Sequence, residues 1–202
     1  MRIAVFGSTG GNGRLLLAQA VRRGHEVTAF ARQARALDDT PGLAGIVEGD
    51  ARDLSLAAKA VAGQQAVIMT VSGGGEPGVG TAIARTVVQA MDASGVPRLV
   101  ATSAYGIVAR KPYVAAPLIR RIFRAVFADQ AAADEVIAAS DLDWTIARAT
   151  RLVGGQPRRP ARVDTALFRG GPYSVSRQAY ASVLLDLAEN GGHPRQFVNV
   201  TG

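Results

Sequence analysis

Three glycines at a spacing of three residues follow directly on the first apolar run of the chain. The run Ile3–Phe6 favours a β-strand, the glycines are Gly7, Gly10 and Gly13, and a helical pattern spans residues 14–23. In such a unit the first glycine allows a sharp turn, the second lets the backbone approach a pyrophosphate, and the third lets the helix pack closely on the strand. The segment therefore predicts a βα unit that binds a dinucleotide, and a tight turn without a ligand is the alternative.

Short apolar runs alternate with helical patterns through the first hundred residues. The fourth run, Ala66–Val71, shows no apolar–polar alternation, which is typical of a parallel strand buried on both faces. The pattern predicts an α/β fold of the Rossmann type, with a doubly wound, mainly parallel sheet flanked by helices. The predicted strands are residues 3–6, 26–31, 45–48, 66–71 and 98–102, and the predicted helices are residues 14–23, 55–62 and 81–94.

The second half of the chain is less regular. Residues 118–140 predict one helix with a break near 127–129, and residues 154–160 predict a loop. We expect one domain over residues 1–202, with the substrate side formed mainly by residues 103–175. The remaining predictions are strands at 144–148, 163–168, 173–175 and 197–200, and a helix at 176–189 capped by Ser174 or Ser176.

Residue content excludes several classes of site. The chain has no cysteine, and its two histidines, His25 and His193, lie far apart in sequence, so we expect no metal site. The apolar stretch at residues 1–6 is too short for a signal peptide, and no apolar run reaches 18 residues. We therefore expect a cytoplasmic protein that has no membrane partner.

The net charge of +7 is concentrated in one part of the chain. Residues 98–177 hold 13 basic and 6 acidic residues, whereas the rest of the chain holds 10 of each. A positive field attracts anionic partners. We expect a phosphate-bearing cofactor and a small-molecule substrate. If the arginines of this part of the chain line the substrate site, the substrate is itself anionic. The alternative is that these arginines form an ordinary solvated surface. We expect no nucleic acid, because no nucleic-acid-binding module is recognisable.

The end of the second predicted strand indicates which dinucleotide binds. Proteins that bind NAD place an acidic residue there, about 20 residues beyond the glycine loop, to hold the ribose hydroxyls. Here the sequence is Thr28-Ala29-Phe30-Ala31-Arg32, with no acid before Asp38. A guanidinium at Arg32 suits a 2′-phosphate. Arg32 therefore predicts NADPH, and an ordinary surface arginine is the alternative.

Two further loops follow predicted strands and should face the same ligand. Asp50 follows the third strand, where an acid would face the adenine edge or only form a turn. Ligands of open α/β sheets lie beyond the carboxyl ends of the strands, so the loop after the fourth strand should line the cofactor. The predicted cofactor-binding residues are Gly7, Ser8, Thr9, Gly10, Gly11, Asn12, Gly13, Arg32, Asp50, Thr70, Val71, Ser72 and Gly73.

The sequence resembles the atypical short-chain dehydrogenases/reductases with an NAD(P)H-binding domain, and within them the flavin reductase/biliverdin-IXβ reductase branch. The resemblance covers essentially the whole chain, through residues 7–13, 27–32, 49–50, 61–67, 96–105 and 134–146. It implies a monomeric reductase, with a dimer as the alternative, that passes hydride from NADPH to a planar acceptor such as FMN or another flavin, a quinone or a tetrapyrrole. It also implies that Ser103 lines the nicotinamide pocket and that Tyr105 holds a position often aromatic in the branch. These two are the predicted catalytic residues; a polar strand end and a packed aromatic are the alternatives.

The sequence departs from the superfamily in its acid catalyst. Many members use Tyr-x-x-x-Lys, in which the lysine helps the phenol to donate a proton. Here Tyr105 is followed four residues later by Ala109, and Tyr113 by Pro117, while Ala131 stands where related proteins often carry a lysine. Carbonyl reduction by that pair is therefore disfavoured, but hydride transfer to an electrophilic flavin or quinone is not. A non-catalytic NAD(P)H sensor on the same fold is the alternative.

Overall fold

A mainly parallel β-sheet forms the centre of the molecule. The computed structural model describes residues 1–71, 76–110, 115–157 and 159–202. The strands are β1 (Arg2–Phe6), β2 (Glu26–Ala31), β3 (Gly45–Glu48), β4 (Ala66–Met69), β5 (Arg98–Ala104), β6 (Asp143–Ala149), β7 (Arg151–Val153), β8 (Arg162–Asp164), β9 (Ser174–Ser176) and β10 (Gln196–Thr201). The helices are α1 (Gly11–Arg22), α2 (Leu54–Val61), α3 (Val79–Ser94), α4 (Ala115–Ile122), α5 (Arg124–Ala138) and α6 (Arg177–Asn190), with 3₁₀ turns at Ala34–Leu37 and Tyr105–Ile107.

Within the described residues, eight strands make one sheet in the order β3-β2-β1-β4-β5-β6-β10-β8. All neighbouring pairs are parallel except β10 and β8. β7 and β9 pair separately. The order of the strands reverses between β1 and β4, whose carboxyl ends therefore leave a crevice where such sheets bind ligands. The predicted doubly wound α/β fold is confirmed.

Helices cover both faces of the sheet. Leu16 of α1 and Tyr180 of α6 belong to the core on one face, and Val87 of α3 and Ile137 of α5 belong to the core on the other. All four side chains are at most 1% exposed. Burial of a large apolar side chain contributes about 1.5–3 kcal/mol to the stability of the fold, so the helices on both faces are packed firmly against the sheet. This double coverage explains why the fourth apolar run lacks alternation.

The long helix of the second half breaks earlier than predicted. The break lies at Phe123, between α4 and α5, and not near residues 127–129. Asp129 lies inside α5, where its carboxylate accepts hydrogen bonds from the backbone N–H of Gly80 (2.8 Å) and Thr81 (3.0 Å). These contacts cap α3, which begins at Val79, two residues before the predicted start. A capping partner 49 positions away leaves no local signal in the sequence.

The strands near the end of the chain also differ from the prediction. The strand predicted at 163–168 is wrong beyond Asp164, whose carboxylate accepts from the N–H of Ala166 in a turn (2.9 Å). The pair of β7 with β9 was not predicted. Of the two suggested caps of α6, Ser176 is the one observed, and its hydroxyl accepts from the N–H of Ala179 (3.1 Å). In the described residues, no helix has the length and apolar content needed to span a bilayer.

Candidate cofactor site and buried polar cluster

The glycine loop makes the tightest backbone approach at the crevice. Gly7 has φ 81°, and a Cβ on Gly7 would lie 2.8 Å from the carbonyl carbon of Thr70. A Cβ on Gly13 would lie 2.2 Å from the carbonyl oxygen of Gly7, a distance no side chain tolerates. The loop therefore holds α1 directly against β1 and against the loop that follows β4.

The start of α1 offers unpaired backbone N–H groups. Gly10 precedes the helix in an extended conformation and provides no side-chain cap, and the first turn holds no acidic residue. The positive end of a helix dipole without a competing carboxylate is a ready anion site. The structure thus fits the phosphates of a dinucleotide at this point.

The three polar side chains of the loop, all among the predicted cofactor-binding residues, lie in different surroundings. Ser8 is fully buried, and its hydroxyl donates to the carbonyl oxygen of Phe30 (2.6 Å), so this side chain ties the loop to β2. Thr9 lines the cleft above the crevice. The Oδ1 atom of Asn12 is buried and has no hydrogen-bond partner among the described residues, which leaves an acceptor for a ligand donor.

A cleft of about 380 Å³ runs from the glycine loop across the carboxyl ends of β2, β3 and β4. It brings together most of the residues predicted for the cofactor. Ser72 and Gly73 lie outside the described residues. The cleft wall combines polar and apolar groups and is made by Gly7, Thr9, Gly10, Phe30, Ala31, Arg32, Asp50, Ala51, Arg52, Thr70, Val71, Glu76, Val79 and Ile83.

Thr70 joins two of the loops that line this cleft. Its hydroxyl lies 3.1 Å from the carbonyl oxygens of Phe6 and Gly7 and donates to them. The loop after β4 is therefore anchored to the end of β1 and to the glycine loop by one side chain.

Charge at the far end of the cleft is set by Asp50, Arg52 and Arg32. Asp50 accepts hydrogen bonds from the backbone N–H of Arg52 (2.9 Å) and from its Nε (3.0 Å), so Asp50 is a turn residue as well as a cleft residue. These bonds from Arg52, with a smaller effect of the Arg32 charge, lower the pKa of Asp50 to about 2. Among the described residues, Arg32 has no hydrogen-bond or ion-pair partner and is exposed. Its guanidinium is therefore available to a phosphate.

A second polar group is buried beyond the carboxyl ends of β5 and β6. Ser103 is 8% exposed and Asp134 of α5 is 3% exposed. The Ser103 hydroxyl donates to Asp134 Oδ2 (2.8 Å), and an Nη of Arg148 lies 3.4 Å from the same oxygen. Burial raises the pKa of Asp134, and the hydrogen bond from Ser103 and the charge of Arg148 offset this only in part. We call Ser103, Asp134 and Arg148 the buried cluster.

Tyr105 does not join the buried cluster. Its ring packs against Phe168, with centroids 5.2 Å apart, and its hydroxyl accepts a hydrogen bond from the N–H of Phe168 (3.0 Å). Tyr105 is 5% exposed. Tyr105 is therefore a packed aromatic side chain, and its catalytic role stays a prediction.

The structure adds residues that sequence reasoning missed. Arg52 lines the cleft, and Arg177 of α6 lies beside Gly11, where a Cβ would be 3.5 Å from the Arg177 Nε. Asp134 was noted only as part of the resemblance. A signal existed for Arg148, whose position in β6 is on the same face of the strand as Trp144 and Ile146. Nothing in the sequence relates Arg177 to the glycine loop.

Comparison with solved structures supports the same architecture. The chain is similar to a wide-type short-chain dehydrogenase/reductase from Veillonella parvula DSM 2008 in complex with NADP (TM-score 0.86, 17% identity, 100% of this chain and 94% of that chain covered). It is also similar to ChuY, an anaerobilin reductase from Escherichia coli O157:H7 (TM-score 0.85, 22% identity, 100% and 97% covered). A third similar structure is the oxidoreductase YlbE from Lactococcus lactis (TM-score 0.83, 19% identity, 100% and 91% covered). At these identities the likeness shows the fold.

The family is shown by a separate comparison. A family model described as NAD(P)H-binding matches residues 7–191, which include the glycine loop, the cleft and the buried cluster. The match covers most of the chain, so the family expected from the resemblance is confirmed. The chain belongs to the NAD(P)H-binding family, and its fold is like that of the short-chain dehydrogenases/reductases.

Proposed function

We propose that this chain is an NADPH-dependent reductase that transfers hydride to a small planar acceptor, a flavin, a quinone or a tetrapyrrole. The observation that carries the preference for NADPH is Arg32 at the end of β2, where an acidic residue would favour NADH. Its side chain is exposed and makes no hydrogen bond or ion pair with the described residues. The glycine loop and the start of α1 hold the pyrophosphate, and Arg32 holds the 2′-phosphate. We further propose one domain over residues 1–202, with residues 103–175 forming most of the substrate side.

The chemistry depends little on an acid catalyst of the chain. Bound NADPH supplies the hydride, and the protein orients the acceptor and excludes competing reactions. Ser103 lies at the carboxyl end of β5, and Asp134 fixes its hydroxyl at 2.8 Å, so its direction is set before an acceptor arrives. Because a flavin or quinone is already electrophilic, solvent is a sufficient source of the proton.

A non-catalytic NAD(P)H sensor is the second candidate. The observation that favours it is the burial of Tyr105, which is 5% exposed, packs its ring against Phe168 and accepts a hydrogen bond from the Phe168 N–H. Mixing the purified protein with NADPH and following absorbance at 340 nm with FMN, riboflavin, quinones and biliverdin separates the two. We expect turnover with at least one acceptor. Tight binding of NADPH without turnover in all of these mixtures would favour the sensor.

A further inference from the structure

The first residues of two helices meet beside the glycine loop. Gly11 opens α1 and Arg177 opens α6. A Cβ on Gly11 would lie 3.5 Å from Nε and 3.6 Å from Cδ of Arg177, so the arginine stem rests against the start of α1. The two positions are far apart in sequence, and the packing of α6 against α1 brings them together.

The electrostatics of this junction are unfavourable without an anion. Neither helix carries an acidic residue in its first turn. A cation near a helix N-terminus is disfavoured by the dipole, commonly by about 0.3–1 kcal/mol, and here two N-termini adjoin one guanidinium. Within the described part of the chain, Arg177 has no hydrogen-bond or ion-pair partner. The junction is therefore a concentration of positive charge that no described residue neutralises.

We infer that Arg177 binds the pyrophosphate of the nicotinamide dinucleotide, as a second cationic group beside the start of α1. This inference rests on the proposed function. The pyrophosphate of a dinucleotide lies at the glycine loop and the helix that follows it, whereas the adenosine ribose lies at the end of the second strand. Arg177 and Arg32 therefore divide the phosphates between them: Arg177 contacts a group common to NADPH and NADH, and Arg32 contacts a group present in NADPH alone.

This division is tested by binding, without turnover. For Arg177→Gln we expect the Kd of NADPH and of NADH, from coenzyme fluorescence, to rise by the same factor, roughly tenfold, which corresponds to about 1.4 kcal/mol. The matched control is Arg22→Gln, since Arg22 is an exposed arginine in the last turn of the same α1. The control should leave both constants unchanged. The dependence of log Kd on log salt should also be shallower for Arg177→Gln than for the wild type, because one cationic contact is lost.

The results of these binding measurements distinguish a failure of the inference about Arg177 from a failure of the proposed function. If the wild type binds NADPH and Arg177→Gln binds both coenzymes equally well, the inference is wrong and the proposed function stands. A loss confined to NADPH would also overturn it, because Arg177 would then read the 2′-phosphate. If the wild type binds neither coenzyme, both the inference about Arg177 and the proposed function are wrong. Arg177→Met keeps an apolar stem against Gly11, and it decides the question by the same criteria should the glutamine variant not fold.

Discussion

Two aspartate–arginine pairs lie at the carboxyl edge of the sheet, and the pKa values of their carboxyl groups shift in opposite directions. Asp50 is about half exposed, its Oδ2 lies 2.5 Å from an Nη of Arg52, and its pKa falls to about 2. Asp134 is 4% exposed at its side chain, its oxygen lies 3.4 Å from an Nη of Arg148, and its pKa rises. An arginine neighbour alone therefore does not decide the direction in which the pKa of an aspartate shifts. Burial decides it when the ion pair is long and water is excluded.

The two pairs also differ in what they leave for a ligand. In the exposed pair Arg52 is committed to Asp50, and among the described residues the nearby Arg32 has no partner. In the buried cluster Arg148 and Ser103 are both committed to Asp134. We therefore expect changes at the exposed pair to act on binding, and changes in the buried cluster to act on stability.

The largest expected effect is a loss of stability in a variant that breaks the buried pair of Asp134 and Arg148. Arg148→Met leaves Asp134 without its cation, and removing one partner of a buried pair costs about 3 kcal/mol or more. We expect the free energy of unfolding, from urea titration at pH 8, to fall by about this amount. Because the folded pKa of Asp134 is raised, its charged form costs stability as pH rises, so the loss should be smaller at pH 5. A loss no larger than that of Arg52→Met would show that the contrast in burial has no energetic consequence.

The second effect is on coenzyme preference. Arg32→Ala should weaken NADPH binding by on the order of 1.5–3 kcal/mol, as for a lost hydrogen bond to a charged group, and leave NADH binding unchanged. Isothermal titration with each coenzyme measures both. Arg35→Ala is the control, since Arg35 is an exposed arginine three residues further along the chain. If the ratio of the dissociation constants for NADPH and NADH does not change, the proposed preference for NADPH is wrong.

A third aspartate, Asp129, shows both of these opposing effects on its pKa. Burial raises the pKa of Asp129, but hydrogen bonds from Thr81 and Gly80 lower it more, so the net shift is downward. Because this carboxylate caps α3, Asp129→Ala should lower the free energy of unfolding by about 1 kcal/mol. The matched control is Glu135→Ala, which removes an exposed carboxylate from the same helix, α5, and should change the free energy of unfolding little. Equal losses in the two variants would mean that the cap does not contribute.

The smallest effect concerns the exposed pair. The pKa of Asp50 is lowered from 3.8 to about 2, so its stabilisation is complete above pH 3.8 and is lost as pH falls towards 2. Exposed ion pairs contribute little, and we expect Arg52→Met to unfold near the wild-type urea midpoint at pH 7. The remaining difference should vanish once the pH falls below 2. A difference that persists there would show that Arg52 stabilises the fold through contacts other than Asp50.

Local sequence pattern predicts most elements of the first half of the molecule and fewer of the second, but it does not predict contacts between distant segments in either half. The glycine loop, Arg32 and the strands up to β5 follow from turn residues and apolar runs that lie next to each other in sequence. The start of α3 depends on Asp129, and the start of α1 meets Arg177, so these features depend on packing between distant segments. The buried cluster joins β5, α5 and β6, and only the finished fold brings its members together.

The contact of Tyr105 with Phe168 bears on how this protein can evolve. The Arg162 guanidinium lies 4.7 Å above the Phe168 ring, so three residues clamp the end of the segment that follows β7. Loops that are fixed at their ends tolerate insertions and sequence drift between those ends. Sequence changes within that segment should therefore leave the contact between Tyr105 and Phe168 in place.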